Sequence, residues 1–227
     1  SDVVANPMAL VTAPTWYYVY TTNDTCTGVD SVFIDLHVSP IIDAGVNVQI
    51  CIGSTTQLNA TGGVSYSWTP TDSLNDDSIS NPLAYPTDTT KYYVVGEDVN
   101  TCSAQDSVTV IVNPLPLAYA GPDIQICVGD TAELIATGGD LYNWSGVDII
   151  NTSNDSALAF PSDTMDYVVE VTDSNSCVFT DTMTVVFNPL PFVDAGLNRE
   201  ICIFDTTLLV AVGGLSYSWT PTDSLSN

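Results

Sequence analysis

Six cysteines carry the most reactive chemistry in this chain, and they stand at two strict phases. Cys51, Cys127 and Cys202 are spaced 76 and 75 residues apart, and so are Cys26, Cys102 and Cys177. A zinc site needs close pairs such as C-x2-C, and this sequence has none. Disulfides are therefore the expected chemistry. Paired cysteines imply an oxidising place: periplasm, cell surface or outside.

The carboxylates come next. The chain has 27 acidic residues against Lys91 and Arg199, for a net charge of -25. Such a surface repels nucleic acid and anionic lipid, and it attracts cations. Asp24, Asp98 and Asp173 recur in the turn before the second cysteine of each repeat, and Asp30, Asp106 and Asp181 just after it. Hard oxygen ligands in turns suit calcium, so the first three are weak calcium candidates. Aspartate in turns also has a purely backbone role, and both readings stand. No organic cofactor is called for. No metal site with a sharp ligand motif is present, and neither is a G-x-S-x-G, H-E-x-x-H or phosphate-cradling loop. The single histidine, His37, falls in an alternating stretch (VFIDLHV) and reads as a solvated strand residue. No catalytic residue is assigned, and the chain is expected not to be an enzyme.

Positioning these residues requires a repeat. Ala44-Gly45, Ala120-Gly121 and Ala195-Gly196 keep the same spacing as the cysteines, and residues 216–225 (SYSWTPTDSL) copy residues 65–74 letter for letter. Asn227 falls at the phase of Asp76 and Ser1 at the next, so the chain reads as three repeats cut in mid-repeat. Fixed-period self-similarity is the mark of an array. Residues 41–114 and 116–190 are expected to be complete β-sandwiches. Residues 192–227 are expected to supply the first three strands of a third, and residues 1–39 its last ones, each half completed by an adjoining copy.

Within 116–191 the pattern predicts strands at 117–127, interrupted by Gly121-Pro122, and at 131–137, 141–145, 157–160, 167–172 and 179–187. Short strands with turn signals every 8–12 residues point to a sandwich. Trp68, Trp144 and Trp219 recur in the third strand and Tyr17, Tyr92 and Tyr167 in a later one, as core anchors. The linkers Asn113-Pro114-Leu115-Pro116 and Asn188-Pro189-Leu190-Pro191 are short and stiff, so successive sandwiches are expected end to end. No run of 18 apolar residues occurs, so no helical membrane span is expected. Trp16 breaks the repeat. It holds the place of Lys91 and Asp166, which predicts an exposed tryptophan and a candidate contact residue.

One composite pattern links Ile50, Cys51, Gly53, Leu58, Ala60, Gly62, Gly63, Tyr66, Trp68, Pro70, Leu74, Pro86, Tyr92, Val94, Asp98, Cys102, Asp106 and Pro114. It resembles the immunoglobulin-like and PKD-like repeats of giant Bacteroidota surface proteins, among them gliding-motility adhesins and type IX secretion cargo. It departs from true PKD domains where Thr69-Pro70 follows Trp68. The resemblance implies an all-β fold of tandem immunoglobulin-like (PKD-like) β-sandwiches arranged end to end, in a structural or adhesive protein. Aspartate followed by Ser or Thr also resembles the O-glycosylation motif of those bacteria. It marks Ser31, Ser73, Ser78, Thr89, Ser107, Thr131, Ser156, Thr164, Thr182, Thr206 and Ser224 as candidates. Acidic turns leading into Thr-rich strands produce the same pairs without modification.

Two functions follow as expectations. One is a structural segment of an extracellular fibre, stalk or adhesin, whose partners are copies of itself or adjoining repeats. The other is a carbohydrate- or ligand-binding repeat of a secreted protein, for which Trp16 and the tyrosines speak. For the cysteines, pairing within a repeat is the usual default. An inter-repeat staple, Cys51 to Cys177, is favoured because the two cysteine turns should lie at opposite ends of a sandwich. A strand of six residues spans about 20 Å, against about 7 Å between bridged α-carbons. Cys127 and Cys202 then reach forward, and Cys26 and Cys102 backward, into adjoining copies.

Overall fold

The computed structural model describes residues 5–223 and 225. The chain divides into two compact units, Ser1–Pro114 and Leu115–Asn227. All regular elements among the described residues are strands.

The first unit opens with a ribbon of β1 (Thr15–Asn23) and β2 (Cys26–Ile34), paired antiparallel from Thr15 opposite Ile34 to Asn23 opposite Cys26. A sandwich follows, of β3 (Val48–Cys51), β4 (Thr56–Gln57), β5 (Ser65–Thr69), β6 (Leu83–Ala84), β7 (Thr90–Glu97) and β8 (Ser103–Asn113). One sheet has the order β3-β8-β7-β5, with β3 parallel to β8, and the other pairs β4 with β6. The second unit repeats this plan with β9 (Ile124–Cys127), β10 (Ala132–Ile135), β11 (Leu141–Ser145), β12 (Ile149–Ile150), β13 (Ser156–Ala159), β14 (Met165–Thr172) and β15 (Val178–Asn188). Its sheets run β11-β14-β15-β9 and β10-β13-β12. A four-stranded sheet with its first strand parallel to its last, facing a smaller antiparallel sheet, is an immunoglobulin-like sandwich.

Alternation of side chains builds each core. Along β7, Tyr92 and Val94 point inward and Lys91, Tyr93 and Val95 outward, because successive side chains leave opposite faces of a strand. Trp68, Leu58 and Val108 complete that core; Trp144, Leu134 and Met183 complete the other. Gly62 has a φ of 94°, and a Cβ there would collide with the Ile41 carbonyl. Only glycine lets these two backbone segments pass so closely.

Several expected elements shift. The stretch 117–127 is interrupted at Gly121-Pro122 as expected, but its first part is only an isolated bridge between Tyr119 and Thr137, and the regular strand is Ile124–Cys127. Gly121, at a φ of 88°, ends the pairing between them. The short strand Ile149–Ile150 was not anticipated. His37 lies past the end of β2 and outside any strand. The reason is visible in β8, whose last four residues, Val110–Asn113, are held by parallel pairing to β3. Residues 34–37 hold the same phase without that neighbour, so β2 ends at Ile34. Residues 192–223 form no regular strand, only a bridge between Asp194 and Val212. Strands in this phase elsewhere take their hydrogen bonds from hairpins such as β7–β8.

Candidate functional site

Register decides what the cysteines can do. Cys51 ends β3 opposite Asn113, the last residue of β8. Cys102 immediately precedes the first residue of that same strand. Eleven residues of extended chain put them roughly 35 Å apart at ~3.3 Å per residue. Bridged α-carbons must come within about 7 Å, so a Cys51–Cys102 bond cannot form in this sandwich. The second sandwich places Cys127 opposite Asn188 and Cys177 just before Val178, and the same argument separates them. Cys51 and Cys177 are in disulfide form. Cys26, Cys102, Cys127 and Cys202 are free thiols, of which Cys26, Cys127 and Cys202 are exposed.

Each oxidised cysteine lies at the linker end of its own sandwich. Cys51 sits beside Asn113, where the first linker begins, and Ile52 N–H donates to the Asn113 carbonyl at 2.8 Å. Cys177 closes the β14–β15 turn. Asp140 N–H donates to the Thr172 carbonyl at the start of that turn, at 2.8 Å. The neighbouring Gly138 packs against the Leu117 carbonyl, where the chain leaves the linker.

The recurrent acids are turn and strand anchors. Asp98 Oδ1 accepts from the backbone amides of Asn100 and Cys102 at 2.8 and 2.9 Å. Asp173 Oδ1 does the same for Asn175 and Cys177. Asp24 does not belong to this series. The β1–β2 turn is shorter, and Asn23 takes the equivalent place, accepting from Cys26 N–H at 3.3 Å. Asp106 and Asp181 each reach across to a distant backbone: Asp106 Oδ2 accepts from Ala44 N–H and Asp181 Oδ2 from Ala120 N–H, both at 2.9 Å. The amides of Ala44 and then Ser107, with Lys91 adding its charge, hold the Asp106 carboxyl below its ordinary value. These bonds explain why the Ala-Gly pair and the later aspartate recur together. Both recurrences are visible in the sequence, but the bond that joins them is not. Among the described residues, no three His, Cys, Asp or Glu side chains gather as a metal-sized cluster.

The marked hydroxyls fall into distinct surroundings. Ser31, Thr131, Thr182 and Thr206 are exposed; Ser73, Ser107 and Ser156 are half-buried. Thr89 and Thr164 are exposed, but their Oγ1 atoms accept from the amides of Val112 and Phe187 at 3.0 and 3.1 Å. Ser78 Oγ donates to Asp76 Oδ1 at 2.6 Å, which keeps that carboxyl low. Ser224 lies outside the described residues.

Trp16 is exposed, as its phase predicts, and stands opposite Phe33 with ring centroids 5.0 Å apart. Tyr18 and Tyr20 share its face of β1, two and four residues on. The same positions in β14 are Asp166, Val168 and Glu170, and Thr184 Oγ1 donates to Asp166 Oδ1 where Phe33 meets Trp16. In the sequence Trp16 stands out because it breaks the repeat. The i, i+2, i+4 spacing of Trp16, Tyr18 and Tyr20 was the signal for the whole stripe.

Comparison with solved structures returns tandem immunoglobulin domains. The titin domains Z1Z2 in complex with telethonin are 17% identical, the match covering 68% of this chain and 99% of that one at a TM-score of 0.29. The N-terminal eight Ig domains of Down Syndrome Cell Adhesion Molecule match at 14% identity and TM-score 0.31, covering 88% of this chain and 36% of that one. The insect immune protein hemolin matches at 13% identity and TM-score 0.38, covering 76% and 56%. No family model and no curated protein matches the chain.

Proposed function

We propose that this chain is a structural segment of an extracellular fibre, stalk or adhesin, of the kind built by tandem immunoglobulin-like repeats on Bacteroidota surfaces, and not an enzyme. The observation that carries this reading is the oxidation pattern set against register. Cys51 and Cys177 are oxidised, while the cysteine that shares a sandwich with each is a free thiol far out of reach. A Cys51–Cys177 bridge joins one repeat to the next beside the proline linker, where it resists extension under load. The same rule pairs Cys127 with Cys26 of the next copy and Cys202 with its Cys102. Recurrent aspartates spent on backbone amides fit a scaffold, and disulfides fit an oxidising exterior.

Non-reducing peptide mapping tests the staple. A Cys51–Cys177 linked peptide is the expected result. A Cys51–Cys102 linkage, or free thiols at all six positions, overturns it.

A second reading, ligand or carbohydrate binding, is favoured by the stripe of Trp16, Tyr18 and Tyr20 with Phe33 beside it. Binding of neutral polysaccharide that is lost in Trp16→Ala would establish it. Unchanged retention on such a matrix would remove it.

A further inference from the structure

The outer face of the hairpin changes its chemistry from repeat to repeat. On the β1–β2 ribbon it carries Trp16, Tyr18 and Tyr20, with Phe33, Ser31 and Val29 directly opposite. At the same phase β7 carries Lys91, Tyr93 and Val95, and β14 carries Asp166, Val168 and Glu170. Residues directly opposite in an antiparallel pair share a face, so each set belongs to one surface.

This face is open by its phase and not by its place in the chain. In the first closed sandwich Tyr93 and Val95 are still 46% and 39% exposed, although both edges of their hairpin are paired. The edge strand β5 sets Ser67 beside Val95 and Thr69 beside Tyr93. Completing a sandwich therefore widens this face with small hydroxyls and does not cover it. Trp16, Tyr18 and Tyr20 are 56%, 59% and 68% exposed.

Charge sets the ribbon apart. The chain has a net charge of -25, yet the one charged residue within β1 and β2 is Asp30, which lies opposite Val19 on the other face. An anionic polysaccharide is repelled by such a chain, and a cationic one is drawn to Asp166 and Glu170 instead. Alternate residues of a strand stand about 6.7 Å apart, so Trp16, Tyr18 and Tyr20 form a straight row about 13 Å long. Rings edged by the hydroxyls of Tyr18, Tyr20 and Ser31 offer stacking and hydrogen bonds together. A pyranose ring presents the matching pair, a C–H face and a rim of hydroxyls. A straight row takes a straight ligand: β-linked chains of the cellulose type extend, whereas α-linked chains of the amylose type coil.

We propose that this outer face of the ribbon binds a neutral, extended, β-linked polysaccharide, which lies along β1 with its sugar faces stacked on Trp16, Tyr18 and Tyr20. The proposal rests on the ligand-binding reading of the same stripe and narrows it. The fibre reading does not depend on it.

Isothermal titration of the full chain with cellohexaose is the test. Binding is expected, with maltohexaose and a hexamer of galacturonic acid weaker by roughly tenfold or more. Trp16→Lys combined with Tyr20→Val gives the stripe the pattern that already folds in β7, so strand pairing is kept and far-ultraviolet circular dichroism should not change. Affinity should fall roughly a hundredfold in that variant, about tenfold for each stacked ring removed. Tyr93→Ala should bind as wild type does. Preference for maltohexaose or the galacturonate hexamer, lost in the double variant, keeps the ligand-binding reading and overturns the proposal. No binding of any of the three sugars, or binding indifferent to the double variant, overturns both. Self-association that the double variant abolishes, with no sugar bound, assigns the face to a second copy and overturns the proposal as well.

Discussion

The same hairpin occurs three times in this molecule, twice inside a sandwich and once as a bare ribbon. β7–β8 and β14–β15 are flanked on both edges and backed by a second sheet, while β1–β2 stands without those neighbours. All three share alternation in sequence and strand register, and only the β1–β2 turn is shorter. The difference lies in burial. Tyr92 and Tyr167 are sealed, and Tyr17 is exposed. Local pattern is thus enough to form and register a hairpin, but burial belongs to the neighbours that cover it.

The largest effect should come from removing the sealed aromatic anchor. Tyr92→Ala is expected to cost about 3–5 kcal/mol of unfolding free energy, as for other large core truncations. Tyr17→Ala in dilute monomer should stay within about 0.5 kcal/mol. Urea titration of both variants checks this, and a comparable loss in Tyr17→Ala would mean that the ribbon is already packed.

A smaller gap is expected between Asp106→Ala and Asp30→Ala. The first strips the Ala44 amide of its charged acceptor and should cost about 1–2 kcal/mol; the second removes a bond to its own neighbour and should cost almost nothing. Denaturation midpoints of the two variants measure the gap.

Acid sharpens that comparison. The amide bonds lower the Asp106 carboxyl in the folded state, so its contribution is complete above about pH 4, the unfolded value. It is lost as pH falls through the lowered folded value. Wild type should therefore lose stability on that descent, and Asp106→Ala should lose less. Midpoints measured at pH 5 and downward decide it, and parallel curves would remove Asp106 as a contributor.

The smallest effect separates the two closed sandwiches. Tyr167 Oη donates to the Val147 carbonyl at 3.0 Å, while the buried Tyr92 hydroxyl lies near Ser73 without a well-formed hydrogen bond. Tyr167→Phe should cost about 1 kcal/mol, and Tyr92→Phe should be close to neutral. The indole nitrogens reverse the pattern. Trp68 Nε1–H donates to Ile79 at 2.9 Å, and Trp144 Nε1 has no partner among the described residues. Trp68→Phe should therefore cost more than Trp144→Phe, by about 1 kcal/mol.

Much of the fold was legible in residue order. The strand at Leu141–Ser145 appears with its expected bounds, and the Trp and Tyr anchors of both closed sandwiches are core residues. Their visibility has a simple cause: period-two alternation and turn residues act within a few positions. The break in 117–127 was legible too, because Gly121-Pro122 is a turn signal, and Gly121 does take a positive φ there. The calcium candidates were ambiguous because a carboxylate facing two amides and one awaiting a cation look alike in sequence. Asp24 lies in the expected turn, but that turn is shorter, and the anchoring role seen for Asp98 falls to Asn23.

By itself the sequence determined the repeat, its two cysteine phases, the all-β class and which side chains share a face. These follow from spacing along one chain. The tertiary structure alone decided that β3 pairs parallel with β8, the register that realises the expected separation of Cys51 from Cys102. It alone decided that Asp106 holds Ala44 across 62 positions of sequence. It also left the ribbon and the C-terminal segment with open faces although their patterns match the closed repeats. All three depend on contacts between segments distant in sequence. Local pattern states what a strand offers, and only its neighbours settle whether the offer is taken.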